Sequence, residues 1–153
     1  VYVAGHEDYD VFICYRGAEV KAEFVDHLQE ALALAGFKAY VDAKDVSEGE
    51  MAWNSLSHAI RVAPVCVPVL SKTFAESKAC LEELSVMVGS VKVLLPCLHD
   101  ITPSDLLMLE TGALKHALLK LKQHHSAQKL ALYQSALRRS TDIPNWDCEQ
   151  LTG

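Results

Sequence analysis

Short runs rich in β-branched and aromatic residues alternate along this chain with longer stretches whose apolar side chains recur every three or four positions. The runs "YDVFICY" (9–15), "FKAYVD" (37–42), "PVCVPVL" (64–70) and "VKVLLPCL" (91–98) read as strands. Between the first two, residues 19–35 place Phe24, Val25, Leu28, Ala31, Leu32 and Ala35 at helical spacing, and Gly36 stands in the usual stop position. Helices are expected again over about 51–62 and 78–89 and, after the turn-like "TPSDLL", over 105–122 and 127–140, with Trp146 as a closing core aromatic. Strands that alternate with amphipathic helices predict a parallel sheet flanked by helices. Pro64 and Pro68 conflict with a central third strand, because proline lacks the ladder donor; that strand is expected to be shorter, bulged or nearer an edge.

The 153 residues, half of them hydrophobic and 22% charged, suit one domain (1–153) with a continuous core. A formal charge of −6, with lysines and arginines spread along helical patterns, argues against nucleic acid as a partner. No apolar stretch approaches the roughly 20 residues of a membrane span. The cysteines at 14, 66, 80, 97 and 148 are odd in number and widely spaced, and three sit inside apolar runs. They are expected to be reduced, buried thiols of a cytoplasmic or nuclear protein, neither a disulfide frame nor a zinc site. The lack of an initial Met and of a secretory leader gives the expectation of a domain within a longer chain.

Several chemistries are missing from the pattern. The glycines are too far apart to wrap a phosphate, which excludes Rossmann and Walker loops. The third strand ends Val69-Leu70-Ser71, without the acceptor aspartate of a phospho-receiver, and there is no nucleophile elbow. The histidines lack metal-ligand spacing, and His124-His125 reads as a solvated helix face. What remains gathers at the carboxyl ends of the strands, where open parallel sheets put their ligands: "CYRGAE", "DAKDVSEGE", Ser71 and the start of the "CLEEL" helix.

On that helix Cys80, Leu81, Leu84, Met87 and Val88 share one arc, which must face the sheet. Glu82 projects roughly opposite, towards water, whereas Glu83 falls at the edge of the arc, about 40° from Met87. A carboxylate half drawn into a strand-end crevice is a candidate functional acid. The plainer alternative is a boundary glutamate bonded to a loop. Asp42, Asp45, Ser47 and Glu50 read singly as a solvated turn, with Asp42 the best placed for a ligand, and Ser71 either caps backbone or touches substrate.

The stretches "YDVFICYRGAEVKAEFVDHLQEALALAGFKAYVD", "LSKTFAESKACLEEL", "VLLPCLHDITPSDLLMLETG" and "YQSALRRSTDIPNW" resemble, in order, the Toll/interleukin-1 receptor (TIR) domain in its plant form, over about 8–146. The resemblance implies an α/β fold, a flavodoxin-like three-layer sandwich with a five-stranded parallel sheet flanked by helices. It also implies NAD+ as substrate with no further cofactor, cleaved to ADP-ribose or its cyclic isomers as plant immune signals. The family's glutamate before the leucine of "CL.EL" maps onto Glu83, implying the catalytic role. Arg16, Gly17, Ala18, Glu19 and Lys21 would line the nucleotide site, Gly49 would lie in a mobile loop, and Cys80 would pack beneath Glu83; Asp42 and Ser71 remain candidates by their strand-end positions alone.

Nicotinamide leaves from a cationic nitrogen and needs no proton, so one carboxylate suffices where ordinary glycosidases use two. It would orient the ribose hydroxyls and stabilise the oxocarbenium charge. Two readings stay open: an NAD+ glycohydrolase or ADP-ribosyl cyclase active on self-association with other TIR domains, and a non-catalytic interaction module docking through residues 43–50 and the first and last helices. Ala79, where the plant pattern has an aromatic, and Glu48-Gly49, where it has "RG", motivate the second.

Overall fold

The side chains of the first strand, β1 (Val11–Tyr15), are all buried, and they alternate between two cores. Phe12 and Cys14 enter the larger core, and Val11, Ile13 and Tyr15 the smaller one, as the twofold period of a strand requires. A sheet so covered on both faces suits parallel pairing. The computed structural model describes residues 9–43, 50–90 and 93–148.

After β1 a helical run comprises α1 (Ala18–Val20), a π-helical turn (Lys21–Val25) and α2 (Asp26–Leu34), and leads to β2 (Ala39–Ala43). Next come α3 (Glu50–Val62), β3 (Val65–Leu70), the short α4 (Lys72–Ala75) and α5 (Lys78–Gly89). The chain continues through β4 (Val93–Leu94), β5 (Cys97–Leu98), α6 (Pro103–Leu107), α7 (Lys115–Lys122), α8 (Ala127–Arg139) and β6 (Trp146–Asp147). Among the described residues all strand pairs are parallel, in the order β2, β1, β3, β5, β6, with β4 also on β3. Because β4 and β5 are two pieces of one interrupted strand, the sheet has five strand positions, as expected.

The third strand is central despite its prolines. Cys66 pairs with Leu94 and Val69 with Cys97, so the same register sets Pro68 opposite Pro96, in the gap between β4 and β5. Two residues without N–H groups face each other where the ladder is broken, which costs little. The first helix ends as its glycine predicts. Gly36 has φ 88°, its N–H reaches the Ala33 carbonyl at 3.1 Å, and Phe37 N–H reaches Leu32 at 2.9 Å, the paired bonds of a Schellman stop.

Two expectations are corrected. The stretch 105–122 is not one helix, because α6 stops at Leu107. Thr102 and Asp105 cap its start reciprocally, and the Asp105 carboxylate also accepts the Ala113 N–H at 3.2 Å, which folds the chain back across a turn. Trp146 is no core aromatic either: it sits in the edge strand β6 at 38% exposure, and Cys148 beyond it supplies the buried side chain. Among the described residues no helix is long and apolar enough to cross a membrane.

Candidate functional site

The carboxyl ends of β1, β3 and β5 open onto a cleft of about 390 Å³, within the roughly 300–1,000 Å³ of ligand pockets. Gly17, Ala18 and Glu19 line it from β1, Ser71, Lys72 and Thr73 from β3, and His99 and Asp100 from β5. The first two walls are stitched together: Thr73 Oγ1 donates to the Arg16 carbonyl at 2.9 Å and lies 3.0 Å from Ser71 Oγ. Gly17 holds φ 103°, and a Cβ there would come within 3.3 Å of Thr73 Oγ1. Glycine is therefore required twice over, by backbone and by close approach. Asp100, at φ 55°, is a non-glycine residue in the left-handed region, tolerated best by short polar side chains.

Four of the expected residues line this cleft: Gly17, Ala18, Glu19 and Ser71. Ser71 also caps α4, its Oγ accepting the Phe74 N–H at 3.1 Å. Arg16 contributes its carbonyl to the wall. Lys21 turns away: its ammonium grips Asp26 at 2.9 and 3.2 Å, which raises its pKa. In an α-helix residues five apart point well away from each other; here the π-turn, with Asp26 N–H bonded to the Lys21 carbonyl, brings them together. Asp42 is in β2 beside Cys14, while its side chain and Gly49 lie outside the described residues. Lys72, Thr73, His99 and Asp100 were not anticipated. Thr73 follows two residues after Ser71 in the same strand-end turn, and His99-Asp100 directly follow a strand, so strand ends carried the signal. His99 Nε2 is 2.8 Å from Glu23 Oε2.

Glu83 and Cys80 are set apart from the open cleft. Ser77 caps α5, its Oγ accepting the Cys80 N–H at 3.2 Å, and the helical period then sends Cys80, Leu81, Glu83, Leu84 and Met87 into protein. Glu83 is not half drawn in; it is 0% exposed. Cys14 Sγ donates to its Oε2 at 3.0 Å, and Cys80 Sγ lies 4.0 Å from the Tyr15 carbonyl. Burial pushes the Cys14 thiol well up, and neighbouring Cys80 and Glu83 act in the same direction. A carboxyl sealed from water and held by a thiol donor is a candidate functional group.

Glu82 is only partly in water, its side chain 23% exposed. Burial alone would raise its pKa, but the Tyr133 hydroxyl at 2.6 Å and Lys129 at 3.2 Å outweigh it and hold the carboxyl below its usual range. It ties α5 to α8. The two adjacent glutamates thus divide cleanly, Glu82 as a helix-to-helix tie and Glu83 as a buried acid behind β1.

The TIR-domain family model matches residues 8–150. The probable 2' cyclic ADP-D-ribose synthase BdTIR of Brachypodium distachyon is 36% identical over 109 residues, 71% of this chain and 49% of that protein. The disease resistance protein LAZ5 of Arabidopsis thaliana is 27% identical over 145 residues, 92% of this chain and 11% of its own length. This chain therefore spans about half of the first relative and about a tenth of the second. Among solved structures, the TIR domains of the activated Roq1 resistosome, which directly recognises the pathogen effector XopQ, superpose with a TM-score of 0.78 at 28% identity, covering 92% of this chain and 88% of that one.

Proposed function

The chain belongs to the TIR-domain family, and we propose that it cleaves the nicotinamide–ribose bond of NAD+ to give ADP-ribose or cyclic ADP-ribose isomers as plant immune signals, when copies self-associate. The observation that carries this reading is Glu83 itself: a fully buried carboxyl behind the carboxyl end of β1, hydrogen-bonded to Cys14. The name of BdTIR as a probable cyclic ADP-ribose synthase supports the same chemistry.

The bond from ribose C1′ to nitrogen breaks with its electron pair going to nicotinamide, which leaves neutral. The sugar becomes an oxocarbenium ion, and Glu83 stabilises that charge from a site poor in water, where a fixed carboxylate acts most strongly. Water attacking C1′ and losing a proton gives ADP-ribose; a ribose hydroxyl of the same molecule gives a cyclic isomer. Lys72 is a cation at the cleft suited to the pyrophosphate. To meet substrate, Glu83 exchanges its Cys14 thiol bond for ribose hydroxyls. The test is incubation of concentrated protein with NAD+ and chromatographic separation of products: nicotinamide with ADP-ribose or a cyclic isomer supports the reading, and intact NAD+ under conditions where an active relative consumes it refutes it.

A second reading rests on the same burial. Glu83 does not line the open cleft, which suits a module that signals by docking to other TIR domains. Cellular signalling unchanged in Glu83→Ala would favour this reading, and signalling lost with assembly intact would exclude it.

A further inference from the structure

We propose that Cys14, Cys80 and Glu83 form a binding site for a thiophilic divalent cation of the zinc class, behind the carboxyl end of β1. Their ligand atoms all lie within 4.8 Å of one another, and all three residues are fully buried. Ligands around a tetrahedral zinc ion stand roughly 3.3–3.8 Å apart, given metal–ligand bonds of about 2.0–2.3 Å. The Cys14 Sγ to Glu83 Oε2 separation is 3.0 Å, and no pair of the set is wider than 4.8 Å, so the three atoms bracket that spacing.

Two rigid elements supply it. Cys80 and Glu83 are three apart on α5, hence on one face, and Cys14 projects from the middle strand pair of the sheet into the same core. Thiolate and carboxylate together are zinc and cadmium chemistry, whereas magnesium and calcium require oxygen donors. The Tyr15 carbonyl, 4.0 Å from Cys80 Sγ, is a neutral oxygen on the same rim that a fourth position can use.

A bound divalent ion deprotonates coordinating thiols outright. Each metal–sulfur bond forms as one S–H bond breaks and its proton leaves to solvent, and Glu83 coordinates as the carboxylate, any proton it carries leaving the same way. Where Glu83 also acts on NAD+, an occupied site is a shut site. That consequence rests on the proposed function; the ligation does not.

The experiment is a titration of reduced, chelator-stripped protein with cadmium chloride, left to equilibrate and followed by the ultraviolet thiolate-to-cadmium charge-transfer band. Saturation at one ion per chain with a two-thiolate intensity is expected. The band should be lost in Cys80→Ser, be halved or lost in Cys14→Ser, and survive in the Cys97→Ser/Cys148→Ser double variant. Absence of a band in the native protein, or a band that follows Cys97 and Cys148 instead, overturns the proposal. Should a serine variant fail to fold, cadmium must protect Cys14 and Cys80, and not Cys66, of the native chain from a thiol reagent under mild denaturant. Equal labelling of all three overturns it too. Zinc inhibition of NAD+ cleavage is read separately, so an inactive protein that still shows the band refutes only the enzymatic reading.

Discussion

Gly17 shows how a single residue sets the mouth of the site. Its φ of 103° is a conformation that side chains resist, and a Cβ there would approach Thr73 Oγ1 to 3.3 Å, tight enough that Thr73 must give way. Gly17→Ala is expected to cost about 1–3 kcal/mol, read as a lowered urea midpoint at unchanged slope. Tyr133 and Glu82 give a second residue-scale outcome. A hydrogen bond to a charged group is worth about 1.5–3 kcal/mol, so Tyr133→Phe should lose about that at pH 7. Glu82 has a depressed pKa in the folded state, so its contribution is present above the ordinary carboxylate range and is lost as pH falls through the folded value. The gap between native protein and Tyr133→Phe should therefore shrink below about pH 4; a gap that is constant from pH 7 to pH 3 contradicts the tie. At this scale the sequence was legible in part. The helical period picked out Glu83 over Glu82, but it could not give full burial, because that depends on Cys14 arriving from another strand. Nor could it turn Lys21 towards Asp26, because a π-turn leaves no mark in apolar spacing.

At the scale of elements, the stop at Gly36 and the helix start at 78 were legible in the sequence, whereas α6 starts at Pro103, ahead of the expected 105. Gly36 stops the first helix by its own φ, and Ser77 and Thr102 cap helices through bonds three residues away. The break between α6 and α7 was missed because apolar spacing runs across it. Gly112 is where the turn is tightest, since a Cβ there would stand 2.9 Å from the Met108 carbonyl oxygen. Gly112→Ala should cost about 1–3 kcal/mol by forcing that turn apart, measured by thermal or urea unfolding, and an unchanged midpoint would show that the turn yields freely. The strand conflict at Pro68 had the opposite outcome. The residue type was read correctly, but its remedy, a facing proline at 96, is a matter of register between strands that no single run contains.

For the whole molecule, the parallel sheet was foreseeable from alternation of strand and helix, whereas the edge strand β6, two residues long, was too short to leave a pattern. Leu132 on α8 and Leu34 on α2 leave large apolar side chains in water, at 46% and 83% exposure, on the helices through which copies are proposed to meet. Leu132→Glu should leave stability within about 0.5 kcal/mol while weakening self-association in sedimentation or light scattering, and activity per molecule should fall with it; unchanged assembly would remove α8 from the contact. The central claim is that Glu83 acts on the ribose cation. It is tested most directly by the rate of nicotinamide release from NAD+ by concentrated native protein beside Glu83→Gln, a variant of equal shape, with both shown to be folded and associated. A loss of at least about 100-fold in the variant is the predicted result. Equal rates in the two proteins, or no release from either, would contradict it.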